Sequence, residues 1–258
     1  MTGDGNGALR RLFFVFCHVP CGHAAAFESC GLNLVSLSAS QLTKGENVID
    51  RYAAQGPEAE FEPGSSERVL KNRLGIKSRE EMDDAEARTL ERTVDALVRK
   101  FDDKHRFTAA DICEFHRAWL GEIYEWAGRH RQVNLSRDGF PFAAAAQIPS
   151  LMEEFEQGLL RRYTPCNFKD RADIVRALAE THVELVLIHP FRDGNGRIAR
   201  VLATLMALQA GLPLLDFSLI AEERRKEYFA AVQAGMDKNY QPMETIFAAI
   251  IGRSLAAS

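Results

Sequence analysis

Charge of one sign, long apolar runs and a framework of paired cysteines are all missing from this 258-residue sequence, and each absence removes a class of function. Lys and Arg total 32 against 36 Asp and Glu, a net charge of −4, so there is no basic footprint for sequence-independent contact with nucleic acid and no nucleic-acid partner is expected. No apolar run reaches the roughly 18 residues of a membrane span, because His, Pro, Arg or Gly interrupts the longest, and no membrane partner is expected either. The five cysteines form no disulfide framework: Cys17, Cys21 and Cys30 crowd one end, while Cys113 and Cys166 stand far apart. A reducing, cytoplasmic location is the expectation. Internal repeats, low-complexity tracts and Pro- or Gly-rich linkers are absent over 65–258, so nothing there marks a second domain. What is present is 46% hydrophobic and 26% charged residues, the balance of a soluble globular fold large enough for one domain with an extension.

The extension is expected over residues 1–47. Arg10-Arg11, a short apolar stretch from Leu12 to Cys17 and Ala24-Ala25-Ala26 imitate a secretory signal, but the apolar stretch is shorter than the usual 7–15 residues. His18 and His23 alternate with the three cysteines in a spacing that matches no standard zinc pattern.

From residue 48 to 258 the pattern is that of one domain, and it is helical. Met82, Leu90, Val94, Leu97, Val98 and Phe101 recur near 3.6-residue spacing over 79–101, with acidic residues at the start and basic ones at the end. Thr108 followed by Asp111 predicts a capped helix that runs toward Gly128. Further helices are predicted over 148–162, 170–188, 195–210, 221–235 and 242–256. Over 131–146, Val133 and Leu135 alternate with polar neighbours and Asp138-Gly139 makes a tight turn, which predicts a β-hairpin. The expected fold class is all-α with a small hairpin.

The chemistry concentrates in 188–200, IHPFRDGNGRIAR. Pro190 stops a helix near His189, and a new helix starts about Asn195 or Gly196. Gly194 and Gly196 let backbone N–H groups converge at that helix N-terminus, a nest of phosphate size favoured by the helix dipole. Arg197 and Arg200, three apart, share a helical face and are predicted to flank bound phosphates. Asp193 at the edge suits Mg²⁺, which takes few protein carboxylates and fills its sphere with phosphate and water. His189 is the group nearby able to take a proton near neutral pH.

HPFRDGNGRIAR resembles the signature of the Fic (filamentation induced by cAMP) family, H-x-F-x-[DE]-G-N-G-R-x-x-R, at every defined position. A chance match in a chain of this length has a probability on the order of 10⁻⁸. ERVLKNRLGI at 67–76 and IYEWAGRHRQVNLS at 123–136 are similar to the family's lead-in and to the segment entering its flap. The resemblance implies a helical Fic fold and transfer of AMP from Mg-ATP to a hydroxyl side chain of a target protein. In that scheme His189 is the base, Asp193 holds Mg²⁺, and Gly194, Asn195, Gly196 and Arg197 stabilise the phosphates. Arg200 takes the outer phosphates, and the target docks on the flap around 131–146. Another nucleotide, whole-phosphate transfer, or a silent binding module are the alternatives; the Doc branch carries Lys where Gly196 stands. Many Fic proteins restrain themselves with a glutamate in the pattern [ST]-x-x-x-E-[GN]. Glu46-Asn47 is the one Glu followed by Gly or Asn, and Leu42 stands at the capping place, so a separate antitoxin supplying the glutamate to Arg200 is the expectation, which would make the chain a toxin.

Other residues are expected to be structural. His182, seven before His189, reads as a packing histidine; His116 and Trp119 as core; Trp126 as packing under the flap; and the charge run 222–227 as a solvated helix face.

Overall fold

The computed structural model describes residue 58 and residues 60–257, apart from 138 and 223, and at 221 and 222 the backbone only. The expected extension 1–47, its cysteines and histidines, Glu46 and the boundary at 48 lie outside the described residues.

Helix α1 (Arg79–Lys100) starts where the Ser78 hydroxyl accepts the Glu81 N–H; Glu80 and Glu81 sit in its first turn and Arg99 and Lys100 in its last, matching the dipole. Its stripe of Met82, Leu90, Val94 and Leu97 is buried, whereas Val98 is 37% exposed. Position 98 lies roughly 80° round the helix from Leu90, at the edge of that stripe, so its expected inward place is not observed. Helix α2 (Ala109–Leu120) opens with the expected capping box between Thr108 and Asp111. It ends at Gly121 and not near 128, because Ile123 and Tyr124 turn back on Leu120 and the Ile123 carbonyl accepts the Arg73 N–H.

The hairpin is shorter than expected. Strand β1 (Ser136–Arg137) pairs antiparallel with β2 (Phe140–Pro141), Ser136 opposite Pro141 and Arg137 opposite Phe140. Pro141 has no N–H to extend the ladder, and Val133 and Leu135 pack instead on Phe142. Helix α3 (Ile148–Phe155) passes through a π-turn (Glu156–Leu160) into a last turn (Arg161–Tyr163), where a continuous helix was predicted. The Glu156 carboxylate at that turn accepts the Ala109 N–H at the start of α2.

Two helices form the centre. Helix α4 (Arg171–Ile188), capped by Asp170, and helix α5 (Asn195–Gln209) pack on each other, with α8 (Gln241–Ala256) on α4 and α1 against α2. Helix α4 is apolar nearly all round, as a central helix must be, and Ala177, Leu178, Ala179 and Val183 are buried. The single helix predicted over 221–235 is two: α6 (Ser218–Glu222) and α7 (Arg225–Ala234). Arg224 stands at the N-cap position of α7 with no side-chain capping bond, its guanidinium 3.6 Å from Glu227, and the charge run 222–227 expected on one helix face is divided by the break between α6 and α7. Among the described residues no helix is long and apolar enough to cross a membrane. The α4–α5 pair fixes the loop between them, where the motif lies.

Candidate active site

His189 terminates α4. Pro190 cannot continue the helix, and His189 adopts the left-handed conformation (φ 52, ψ 58), which costs a non-glycine residue about 1–3 kcal/mol. Bonds on both sides hold it there: its N–H donates to Leu185 O, its carbonyl accepts from Arg131 Nε at 2.7 Å, and its Nδ1 lies 2.9 Å from the Val186 carbonyl. Facing a carbonyl, Nδ1 must carry the proton of the neutral ring, which leaves the lone pair on Nε2. The ring is buried and stacked on Phe142 of the flap, centroids 3.6 Å apart. Burial above all, with smaller help from the Arg131 and Arg137 charges, pushes its pKa down to about 3 against the Val186 bond and the Asp193 charge.

The loop behind it is braced from within. Phe191 is buried and stacked on His116 at 3.9 Å. The Asn195 side chain accepts the Phe191 N–H and donates to the Phe191 carbonyl, both at 2.8 Å, so its amide closes the loop. His116 Nδ1 accepts the Gly128 N–H at 2.8 Å, so its Nε2 carries the proton and donates to the Asp193 carbonyl at 3.1 Å. Gly194 caps α5 at φ +81, and a Cβ there would lie 2.5 Å from Trp119 Cζ3. Glycine is therefore required by both backbone and neighbour. Helix α5 begins at Asn195 as predicted, and open space borders Gly196. The first-turn N–H groups of a fifteen-residue helix converge there, an arrangement that accepts an anion.

The two arginines take different surroundings. Arg197 lies over the Trp119 ring at 4.4 Å, its Nη1 donates to Glu86 at 2.6 Å, and its Nη2 is 3.7 Å from Asp193. Glu86, buried on α1, also accepts the Tyr124 hydroxyl at 2.7 Å, and burial with that carboxylate pushes the phenol pKa up. Arg200 is 5% exposed and lies near His182, whose pKa is lowered by burial and then by the Arg200 charge, and near Tyr228, whose phenol pKa is pushed up by burial against the Arg200 charge. Glu86→Ala is expected to lower the unfolding free energy by about 3–5 kcal/mol, since it leaves the Arg197 guanidinium half-buried without this carboxylate. Urea denaturation reads this, and a loss below 1 kcal/mol would rule out the Glu86 pair as a structural anchor.

The donors beside the α5 N-terminus bear on the expected Mg²⁺. Asp193 accepts the Gly194 N–H at 2.6 Å and stands beside the α5 N-terminus; among the described residues no cluster of three or more His, Cys, Asp or Glu could hold a metal. One hard carboxylate next to an anion-binding helix end fits magnesium carried largely by phosphates, and does not fit a protein-caged ion. The residues expected to be structural are so: His182 is buried, 2.9 Å from the Tyr228 hydroxyl, Trp119 is buried, and Trp126 stacks on Tyr124 in the core and not under the flap. The sequence gives no sign of a site role for Glu86. Tyr124 and Arg131 fall within the segment entering the flap and Phe142 within the flap itself, with no individual role legible for any of the three.

Comparison with known proteins agrees with this geometry. A family model described as Fic/DOC family matches residues 106–207. Protein adenylyltransferase VbhT of Bartonella schoenbuchensis is 29% identical over 72% of this chain and 37% of its own length. Protein adenylyltransferase Fic of Drosophila melanogaster is 31% identical over 57% of this chain and 28% of its own length. The chain thus spans about a third of the curated relatives it matches. A Bartonella quintana N-terminal Fic domain with bound ADP is 28% identical, with TM-score 0.59 over 74% of this chain and 92% of that one.

Proposed function

Because the chain carries a domain of the Fic/DOC family over residues 106–207, we propose that it is a protein adenylyltransferase, moving AMP from ATP to a hydroxyl side chain of another protein. The observation that carries this reading is the fixed tautomer of His189, whose base nitrogen is set by the Val186 carbonyl one short loop from a glycine-initiated helix N-terminus. The names of the two adenylyltransferase relatives and the ADP in the Bartonella quintana domain support it.

His189 Nε2 takes the proton of the target hydroxyl, the hydroxyl oxygen bonds to the α-phosphorus, and the bond to the bridging oxygen breaks to release pyrophosphate. The α5 N-terminal N–H groups over Gly194, Asn195 and Gly196 stabilise the charge that develops on the phosphates. Arg197, held by Glu86, adds positive charge beside Asp193, and Arg200 is assigned to the outer phosphates. Magnesium bound at Asp193 would supply charge neutralisation of the phosphate chain. The target segment is assigned to the edge of β1 and β2, whose two strands leave backbone groups for another strand to pair with. Restraint by a separate antitoxin carrying a glutamate to Arg200, and a cytoplasmic setting for the free thiols Cys113 and Cys166, belong to the same proposal.

The test incubates the protein with Mg²⁺ and ATP labelled on the α- or the γ-phosphate in a cell lysate. Label on protein from α-labelled ATP alone is expected. Label from γ-labelled ATP would mean phosphate transfer, and none from either would mean a binding module; both overturn the reading.

A further inference from the structure

Arg131 is 1% exposed, and among the described residues the hydrogen bonds of its guanidinium go to carbonyls. Nε donates to His189 O at 2.7 Å, Nη1 to Val133 O at 2.6 Å and Nη2 to Ala143 O at 2.5 Å. Its own backbone N–H donates to Pro190 O at 2.9 Å. Val133 lies on the leg entering the flap and Ala143 on the leg leaving it. One planar fork therefore ties both legs of the hairpin to the carbonyl of the strained residue that carries the base.

Burial lowers the Arg131 pKa to about 10, so the group stays charged at neutral pH. A buried cation bonded to three carbonyls, with the Glu58 charge acting in its favour, is a costly way to fill space that a hydrocarbon side chain of similar size would fill without desolvation. What the hydrocarbon lacks is three donors in fixed directions, and an ammonium offers them from one point and not along a plane. The Ala143 bond also bears on Phe142, the preceding residue, whose N–H donates to Leu135 O at 3.1 Å while its ring covers His189.

From this geometry we infer that Arg131 is a positioning residue for transfer: it holds the flap and the His189 backbone at one fixed separation, so that a segment paired to the flap edge presents its hydroxyl to Nε2. The inference rests on the adenylyltransferase reading for its kinetic consequence and on geometry alone for its structural one, and the experiment separates the two. Arg131→Met and Arg131→Lys are compared with the parent in three measurements on the full chain. The first is amide hydrogen exchange at Phe142, with amides inside α5 as the reference. The second is the ¹⁵N signals of the His189 imidazole. The third is α-labelled ATP in lysate, read as target labelling against ATP concentration.

The expected result is faster exchange at Phe142 by at least about tenfold with α5 unchanged, altered His189 ring signals, and labelling at saturating ATP reduced about 10²-fold with the KM for ATP held within twofold. Arg131→Lys keeps the charge and loses the fork, and is expected to fall with Arg131→Met; if the methionine variant does not fold, the lysine variant carries every readout. Unchanged exchange and ring signals overturn the inference, as does full activity in Arg131→Lys or a loss that appears only in the KM for ATP. A parent that labels nothing overturns the adenylyltransferase reading, while the exchange and ring signals still decide whether Arg131 sets the flap.

Discussion

His189→Ala is expected to slow AMP transfer by about 10²–10⁴-fold, the range that a positioned general base contributes, with the KM for ATP near that of the parent. The split follows from where His189 sits. Its ring faces Phe142 and the flap, whereas the helix N-terminus assigned to the phosphates starts at Gly194 on the far side of a braced loop. Asn195 and His116 hold that loop without help from the imidazole. Initial rates with α-labelled ATP at several concentrations provide the measurement. A variant within tenfold of the parent would remove His189 from the proton step, and an equally large rise in KM would make it a nucleotide ligand. The pH profile adds a second constraint: a base with a pKa of about 3 is unprotonated from pH 8 to pH 6, so the parent rate should not fall across that window with a midpoint near 6.5.

Acid should unfold the domain early. His116, His182 and His189 are all buried, and burial lowers each pKa from 6.5 to about 3. Each stays neutral in the folded chain and takes a proton once unfolded below pH 6.5, so the unfolded state binds more protons and stability falls as the pH drops from 6.5 toward 3. Above 6.5 both states are neutral at these positions and the contribution is constant. Each histidine costs about 1.4 kcal/mol per pH unit inside the window, and the three together about 4, against a total stability of about 5–15 kcal/mol for a typical domain. Melting temperature measured from pH 8 to pH 4.5 should be flat to about 6.5 and then fall steeply. A flat curve down to pH 5 would show that these rings are solvated or already charged in the fold.

The layout of the candidate site was legible because a single loop and the first turns of α5 hold it. A helix stop, two glycines, a carboxylate and two arginines stand within residues 190–200, and their local preferences agree with the α4–α5 turn that forms. The capping box of α2 and the dipole arrangement of α1 were legible for the same reason. What escaped were the long-range pairs. Glu86 is one of several acidic residues on the first helix, and nothing in its local pattern indicates that it meets Arg197, 111 positions later. Periodicity identifies which face of a helix is buried and is silent about the partner. Likewise the hairpin pattern over 131–146 is real, but the ladder is two pairs long with Pro141 at its end, and beyond it the Arg131 guanidinium takes the carbonyls of Val133 and Ala143. The two arginines shared a helical face in sequence, yet one reaches toward α1 and the other toward α4.

That His189, the proposed base, is the last link of α4 makes the helix a ruler. Its far end is clamped by Asp170 and its flanks are locked by α5 and α8, so the number of residues from Arg171 to Ile188 sets the direction in which the imidazole leaves the helix. One residue added or removed would swing His189 by about 100° and carry it some 1.5 Å along the axis, out of reach of the Arg131 fork, while the Val186 carbonyl on the same helix would move with it. Loops elsewhere in the chain can grow or shrink at small cost, but this span is calibrated: drift in its length would leave a folded protein with its proton acceptor facing the wrong wall.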